Sequence, residues 1–373
     1  MKHILIIILL CMTAQISMAQ QTDIKSEYQK KVDRMWERHE KRRDRMMKDY
    51  EEKRLKFLEE HEAFRKKVMR LWGEKEMIES TKKDWVEYSD DLSSRSIVDF
   101  ENGDVTVEIL ADPADDSQKI DEKIEDAVGN LMNSKGKNID FKSEVIKQEN
   151  VCKEPIMKGQ IDPGQYKDAE KIIKDIDTDN GKKKKISIHL KLIEDHIPKR
   201  AEKFKGIIRK HSQNLGINEP LIYAVIEQES YFNPMAKSSA NAYGLMQLVP
   251  DSGGRDANHY IHGIDKAPEP EYLYDPDNNV ELGTGYLKKQ MEVYFKDVTD
   301  PGCRMLCAIA AYNTGQGNVY YAFTGRRKPD GAFKEINRYS YEQLYEHLKM
   351  HLPHSETREY IQKVTDKMEK YYR

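Results

Sequence analysis

The chain has 373 residues, 62 of them Lys or Arg and 65 Asp or Glu, so its formal net charge is only −3 although 34% of its residues are charged. This charge density excludes a protein with several membrane spans, and the near balance of signs argues against nucleic-acid binding, which needs a basic surface. Only 38% of the residues are hydrophobic, so part of the chain is expected to lack a packed core of its own.

Residues 1–19 have the pattern of an export signal. A short polar start is followed by the apolar run Ile4–Met12, which is too short to span a bilayer. Small residues at Ser17 and Ala19 then predict cleavage before Gln20. The sequence therefore predicts an exported protein of the periplasm or cell envelope without an integral membrane span.

One of the cysteines falls inside this signal, where a lipoprotein signal at Cys11 is the alternative interpretation. Leu10 argues against a lipid anchor, because lipid attachment needs a small residue just before the cysteine. The three remaining cysteines, Cys152, Cys303 and Cys307, have no metal-ligand partners near them in the sequence. Packing of the last two as small apolar side chains of one helix is favoured, although an oxidising compartment leaves their pairing open.

Residues 20–80 are predicted to form a charged helical segment. From residue 21 to residue 80 there are 18 Lys and Arg and 15 Asp and Glu, with one Gly and no Pro. A thin apolar stripe recurs at the spacing of a straight helix rather than of a coiled coil. Its polarity favours a lone helix held by ion pairs; a stalk that self-associates or binds an envelope partner through residues 21–72 is the alternative.

Residues 81–195 are predicted to form a small α+β domain. Two β-branched runs, 96–100 and 105–109, flank an Asn-Gly pair at Asn102, a strong signal of a hairpin. A helix is predicted next, with one apolar face formed by Ile120, Ile124, Val128 and Leu131.

Alternating apolar residues between 186 and 192 predict a further strand with one buried side. The four lysines at 182–185 precede this strand. They are predicted to lie in a solvated turn, and contact with an anionic wall polymer is the alternative.

Residues 196–373 are predicted to form a mainly α domain, which makes the chain α+β overall. Asn218 and Pro220 stand at N-cap and first-turn positions, so a helix is expected over 221–230. Further helices are predicted at 280–295, 305–312 and 355–371. An acidic run from Asp275 begins like a calcium loop but lacks the required Gly and Glu, so helix initiation is predicted there and no metal site.

Glu229 ends an apolar stripe of the predicted helix 221–230. A carboxyl at that place loses part of its hydration, which favours the neutral form that a general acid needs near neutral pH. Glu227, about 200° away on the same helix, is predicted to be a solvated surface acid. From this pattern alone, a capping or salt-bridged role for Glu229 remains the commoner alternative.

Four short motifs follow in order along the chain: Glu-Ser at 229–230, Gly-Leu-Met-Gln at 244–247, Ala-Tyr-Asn at 311–313 and Glu-x-x-x-Tyr at 356–360. This series resembles the Slt-type lytic transglycosylases, which have a goose-type lysozyme-like fold and cleave the glycan strands of peptidoglycan. Further upstream, the sequences around Trp72, Trp85 and the predicted hairpin are similar to the amino-terminal domain of the membrane-bound lytic murein transglycosylase C family.

The resemblance implies that Glu229 protonates the oxygen between N-acetylmuramic acid and N-acetylglucosamine. As a carboxylate it would then accept the proton of the muramic acid 6-hydroxyl, which closes onto the anomeric carbon and leaves a 1,6-anhydro end. One carboxylate suffices because the nucleophile belongs to the substrate, and no cofactor is implied.

The other matching positions are implied to contact the glycan. They are Ser238 beside the acid or the N-acetyl group, Met246 and Gln247 on one wall, Tyr312 and Asn313 on the other, and Tyr360 near the acid. Core packing is the alternative for Met246 and for Tyr312.

Two hypotheses from different classes remain. The first is the transglycosylase, and the second is a non-catalytic peptidoglycan-binding or scaffold protein; a hydrolase is a third. An acid in an apolar setting favours the first, because a binding module has no use for one. A fragment that begins near Glu194 is expected to fold and cleave alone.

Overall fold

The structure is a computed structural model that describes residues 55, 59, 61–136 and 151–372. The predicted export signal and most of the charged segment lie outside these residues. The chain divides into two compact units, Met1–Phe64 and Arg65–Arg373, and the architecture below is that of the second unit.

The amino-terminal half of this unit is built on one antiparallel sheet of five strands in the order β1-β2-β3-β5-β4. The strands are β1 (Asp84–Tyr88), β2 (Ser94–Asp99), β3 (Asp104–Ala111), β4 (Ile172–Thr178) and β5 (Gly181–Lys191). The helix α1 (Ser117–Asn133) packs its four predicted apolar residues against the sheet, together with Ala127. The predicted hairpin is confirmed, with Val98 paired to Val105 and a positive φ at Gly103.

The carboxy-terminal half is helical among the described residues. Its helices are α2 (His196–Leu215), α3 (Glu219–Ser230), α4 (Arg255–His262), α5 (Pro270–Tyr274), α6 (Pro276–Lys289), α7 (Pro301–Thr314), α8 (Gln316–Thr324), α9 (Ala332–Ile336), α10 (Tyr341–His351) and α11 (Ser355–Tyr372). The wider helical turns Pro250–Gly254 and Gln290–Tyr294 adjoin α4 and α6. The structure thus confirms the α+β class predicted from the sequence.

Helix α6 begins where the sequence places it, because the Asp275 side chain accepts a hydrogen bond from the Asn278 amide at 2.9 Å. Cys303 and Cys307 are buried free thiols of α7, and burial raises the pKa of Cys303 to about 11.

The lysine run at 182–185 is not the turn that the sequence predicts, because all four residues belong to strand β5. The turn ends at Gly181, which pairs with Thr178 across the hairpin. Lys183 and Lys185 form ion pairs with Asp112 and Glu76, so these two charges are neutralised across the sheet.

The predicted charged helix also ends earlier than expected, at Trp72, because Gly73 takes a positive φ of 94°. Trp72 is fully buried, and its indole donates to the Leu92 carbonyl at 2.8 Å. The Arg95 guanidinium lies 4.2 Å from the centre of the indole ring. The end of this segment therefore packs against strands β1 and β2.

Sheet and helices share an apolar core. Side chains from the sheet and α1 pack in one cluster with residues from the helical half, among them Tyr231, Met235, Tyr243, Leu248 and Leu273. Burial of this kind stabilises by about 25 cal/mol per Å² of apolar surface. Removal of the sheet would expose this surface of the helical half to water.

A buried cation also fixes the contact between the sheet half and the helical half of the protein. The Arg200 side chain of α2 donates to the Tyr231 carbonyl at 3.0 Å, to Gln160 Oε1 at 2.7 Å and to the Phe100 carbonyl at 2.6 Å. Burial lowers the pKa of the guanidinium to about 9, an effect that the charges of Glu227 and Asp99 oppose. A buried charge that lost these acceptors would be strongly destabilising.

These contacts argue against the independent fragment expected from the sequence. A chain that begins at Glu194 loses Phe100 and Gln160 as partners of Arg200 and exposes the shared core, so it is expected to show no cooperative thermal melt. A chain that begins at Arg65 keeps both and should melt cooperatively. Circular dichroism of the two chains checks this expectation, and an equally cooperative melt of the shorter chain would contradict it.

Candidate active site

Glu229 lies in the last turn of α3 and is only 5% exposed. The helix ends at Tyr231 and Phe232, which both have a positive φ, 50° and 61°. Left-handed backbone is uncommon for such bulky residues and requires support from the surrounding structure. Ser230 supplies part of that support, because its hydroxyl donates to the Leu245 carbonyl at 2.8 Å.

The Glu229 carboxylate lies beside the Lys82 ammonium group and the phenols of Tyr312 and Tyr360. Lys82 Nζ lies 3.0 Å from Glu229 Oε2. Burial, and then the charge of Glu229, raise the pKa of the Tyr312 and Tyr360 phenols well above the ordinary value for tyrosine. Both phenols therefore stay neutral beside the acid, which makes them hydrogen-bond donors rather than charges.

Tyr312 and Tyr360 differ in their own hydrogen bonds. The Tyr312 hydroxyl donates to the Met246 carbonyl at 2.8 Å, and its ring packs against Tyr286 with centroids 5.4 Å apart. The Tyr360 hydroxyl is buried beside Glu229 and interacts with its carboxylate, although without the geometry of a standard hydrogen bond. This phenol is thus directed at the acid itself.

Glu227 is not the solvated surface acid that the sequence predicts. It is 5% exposed, receives a hydrogen bond from Lys370 Nζ at 3.0 Å and another from the Tyr371 hydroxyl, and so joins α3 to α11. The helical wheel separates Glu227 from Glu229 correctly. However, it cannot show that α11 covers the second face.

The loop at 244–247 is held by Asn279, which is fully buried in α6. Asn279 Oδ1 accepts from the Met246 amide at 2.7 Å, and Nδ2 donates to the carbonyls of Tyr243 at 2.8 Å and Leu273 at 2.7 Å. Gly244 has a positive φ, and a Cβ there would lie 2.2 Å from the Leu273 carbonyl oxygen. These contacts therefore fix the backbone conformation of the loop at 244–247.

The two side chains predicted for this wall have different surroundings. Gln247 Nε2 donates to the Ala236 and Gly244 carbonyls at 3.1 and 3.0 Å, while Oε1 is buried with no partner among the described residues. The Met246 side chain is fully buried and packs so closely on Gly283 that a Cβ there would lie 2.3 Å from its sulfur.

The two remaining predicted positions, Asn313 and Ser238, form hydrogen bonds within the protein. Their contact with a glycan stays a prediction. Asn313 Oδ1 accepts from the Thr357 hydroxyl at 2.7 Å, which links α7 to α11. The Ser238 hydroxyl accepts from the Ala242 amide at 3.1 Å, within a turn.

Two residues of this site were missed by sequence reasoning, Lys82 and Asn279. Lys82 is one of many lysines, and nothing local marks it, because its partner is 147 positions further along the chain. Asn279 lies in the run from Asp275 that begins like a calcium loop, and no contact with the loop at 244–247 is predicted for it. Its position one turn inside α6, after the capping Asp275, was the available signal.

No group of three or more metal-binding side chains is found in the described part of the chain. None of the helices described there is both long and apolar enough to cross a membrane.

Asn279→Ala is expected to destabilise the protein by about 2–4 kcal/mol, because it removes the side-chain partner of the buried Met246 amide and Leu273 carbonyl and one of the two donors to the Tyr243 carbonyl. Thermal melting of the variant measures the loss. Asn278→Ala is the matched control, since it changes a half-buried neighbour on the same helix and should alter stability by less than about 0.5 kcal/mol. Equal melting temperatures for the two variants would rule out the role assigned to Asn279.

Two family models match the chain. The Transglycosylase SLT domain matches residues 206–333, and the amino-terminal domain of membrane-bound lytic murein transglycosylase C matches residues 49–203. Among solved structures, the 70 kDa soluble lytic transglycosylase of Escherichia coli shares 25% identity, with a TM-score of 0.35, over 45% of this chain and 24% of that one.

Two relatives cover most of the chain. Proteins named membrane-bound lytic murein transglycosylase C from Sodalis glossinidius and Klebsiella pneumoniae are 33% and 32% identical to it over 322 residues. The aligned region spans 83% of this chain and 88% of each relative. The chain therefore belongs to the membrane-bound lytic murein transglycosylase C family, and it is a lyase that acts on peptidoglycan.

Proposed function

We propose that Glu229 carries out both proton transfers of a lytic cleavage. As the acid, it protonates the oxygen between N-acetylmuramic acid and N-acetylglucosamine. As the resulting carboxylate, it takes the proton of the muramic acid 6-hydroxyl, whose oxygen bonds to the anomeric carbon. The products are a strand with a 1,6-anhydromuramic end and a strand with a free N-acetylglucosamine 4-hydroxyl.

The observation that carries this proposal is the setting of Glu229, a carboxyl that is 5% exposed and lies beside the Lys82 ammonium group and two neutral phenols. Glu227, two residues earlier on α3, is bound to Lys370 and Tyr371 and so serves the packing of α11. A glycosidase that activates water or forms a covalent intermediate needs a second carboxylate. An internal hydroxyl nucleophile does not need one.

The contacts around Glu229 support a glycan site. Gln247 presents a buried oxygen without a partner among the described residues, and a sugar hydroxyl or an N-acetyl group can supply that partner. The Tyr360 phenol is directed at the acid itself. We assign Tyr312 and Asn313 to the opposite wall and Ser238 to the turn beside the acid. Met246 contributes mainly its carbonyl, which fixes the Tyr312 hydroxyl.

The substrate of this enzyme lies in the cell envelope, so we propose that residues 1–19 export the chain and that residues 196–373 form its catalytic domain behind the α+β domain 81–195. The relatives are named membrane-bound. For this chain we propose an exported form without lipid. A role of residues 21–72 in self-association or in binding an envelope partner stays a proposal.

Glu229→Gln is expected to keep the fold and lower the turnover of purified glycan about 10²–10⁴-fold, because the amide keeps the shape of the acid but has no proton to transfer. Mass spectrometry of the products measures both rate and chemistry. Anhydro ends from the wild type support the proposal, reducing ends would indicate a hydrolase, and unchanged strands would indicate a non-catalytic binding protein.

Glu227→Gln is the matched control on the same helix. It weakens the contact with Lys370, so the melting temperature should fall while turnover by the folded protein stays close to that of the wild type. A turnover of Glu229→Gln above one tenth of the wild-type value would move the acid to another residue.

The mature chain is expected to begin at Gln20, since Leu10 disfavours lipid attachment at Cys11. Intact-mass measurement of the protein purified from the envelope checks this. A diacylated chain that begins at Cys11 would contradict both the cleavage site and the absence of lipid.

A further inference from the structure

Lys82 reaches the acid from the other half of the protein. It precedes strand β1, whereas Glu229 lies at the end of α3, yet their charged groups are 3.0 Å apart. The Glu229 side chain is 7% exposed and that of Lys82 is 31% exposed. An ion pair so little exposed on the acid's side is much less screened than a surface pair.

The backbone around Lys82 is fixed on both sides. The Thr81 hydroxyl donates to Asp84 Oδ2 at 2.8 Å and accepts from the Asp84 amide at 3.0 Å, which closes a turn around Lys82 and Lys83. The Thr81 carbonyl accepts from the Lys237 amide at 3.4 Å, which joins this turn to the loop that follows α3. A short turn with fixed ends therefore holds the Lys82 ammonium group beside Glu229.

The neighbouring Lys83 has a different partner. It forms an ion pair with Glu101, and its ammonium lies 5.6 Å from the centre of the Tyr231 ring. Of the two consecutive lysines, Lys82 alone is directed at Glu229. This pair gives a matched comparison within one turn.

Two further ionisable groups face Glu229, Tyr312 of α7 and Tyr360 of α11. Both are neutral phenols, so neither favours one charge state of the acid as strongly as an ammonium does. Lys82 is consequently a cation in direct contact with the Glu229 carboxyl.

We propose that Lys82 is a positioning residue whose ammonium group orients the Glu229 carboxyl and sets the pH range in which this acid works. The inference rests on the proposed role of Glu229. It gives the amino-terminal half of the protein a part in the chemistry, because that half supplies the charge that decides how readily the acid takes up and gives up its proton.

This role has two opposing effects on the rate. A nearby ammonium favours the ionised acid, so the alkaline limb of kcat/KM falls at lower pH than it would without Lys82. The same ammonium stabilises the carboxylate that forms as the proton leaves, so each protonated molecule transfers its proton more readily. Loss of Lys82 therefore moves the alkaline limb up in pH and lowers the plateau on its acid side.

The test is the pH profile of kcat/KM for soluble glycan strands, measured on the full chain. Lys82→Met is expected to move the alkaline limb to higher pH by about one unit or more, the size of effect usual for an opposite charge at this distance. Lys82→Arg keeps the charge and should restore a profile close to that of the wild type. Lys83→Met should leave the alkaline limb of kcat/KM at the wild-type pH, because Lys83 forms its ion pair with Glu101.

An alkaline limb of Lys82→Met that coincides with that of Lys83→Met overturns the inference. If Lys82→Met fails to melt cooperatively, Lys82→Gln keeps a hydrogen-bond donor without the charge, and the same displacement is expected of it. Failure of the proposed function is distinguishable, because Glu229→Gln would then remain active. An inactive Glu229→Gln together with an unmoved limb overturns the role of Lys82 alone.

Discussion

The buried guanidinium of Arg200 is the constraint on which the active site depends. Its three acceptors come from the end of strand β2, from the segment before β4 and from the residue that ends α3. A buried charge accepts few alternative arrangements, because losing one acceptor leaves a hydrogen bond unmade in a medium of low dielectric constant. Tyr231, and with it Glu229 two residues earlier, is therefore held in a fixed place relative to the sheet.

Further contacts between the sheet half and the helical half support α3, the helix that ends at Glu229. The Tyr231 hydroxyl donates to Glu101; burial of that carboxyl is outweighed by hydrogen bonds from Lys83 and Tyr231, so the pKa of Glu101 is lowered. On the far side, Glu227 binds Lys370 and Tyr371 of α11. The helix that ends at the acid is thus fixed from two directions.

The amino-terminal half is consequently more than an accessory to the helical half. It completes the core around Tyr231 and Tyr243, supplies the acceptors of Arg200 and presents Lys82 to Glu229. A second domain that packs this way can influence proton transfer without contacting the substrate. Loosening of the turn around Thr81 would separate Lys82 from Glu229, so the packing of the two halves affects the proton transfer proposed for this acid.

The sequence alone determined what local patterns encode. The Asn-Gly hairpin, the apolar face of α1, the start of α3 after Asn218 and the start of α6 after Asp275 all depend on a few consecutive residues, and the ordered motifs from Glu229 to Tyr360 pointed to the family. Only the tertiary structure decided which charges meet. Strand β4 was missed because it is an edge strand with one buried side chain, Ile176, and the burial of Glu227 depends on α11. The pairing of Lys82 with Glu229 joins residues far apart in the chain, and no local periodicity records such a contact, because its energy depends on distance and burial.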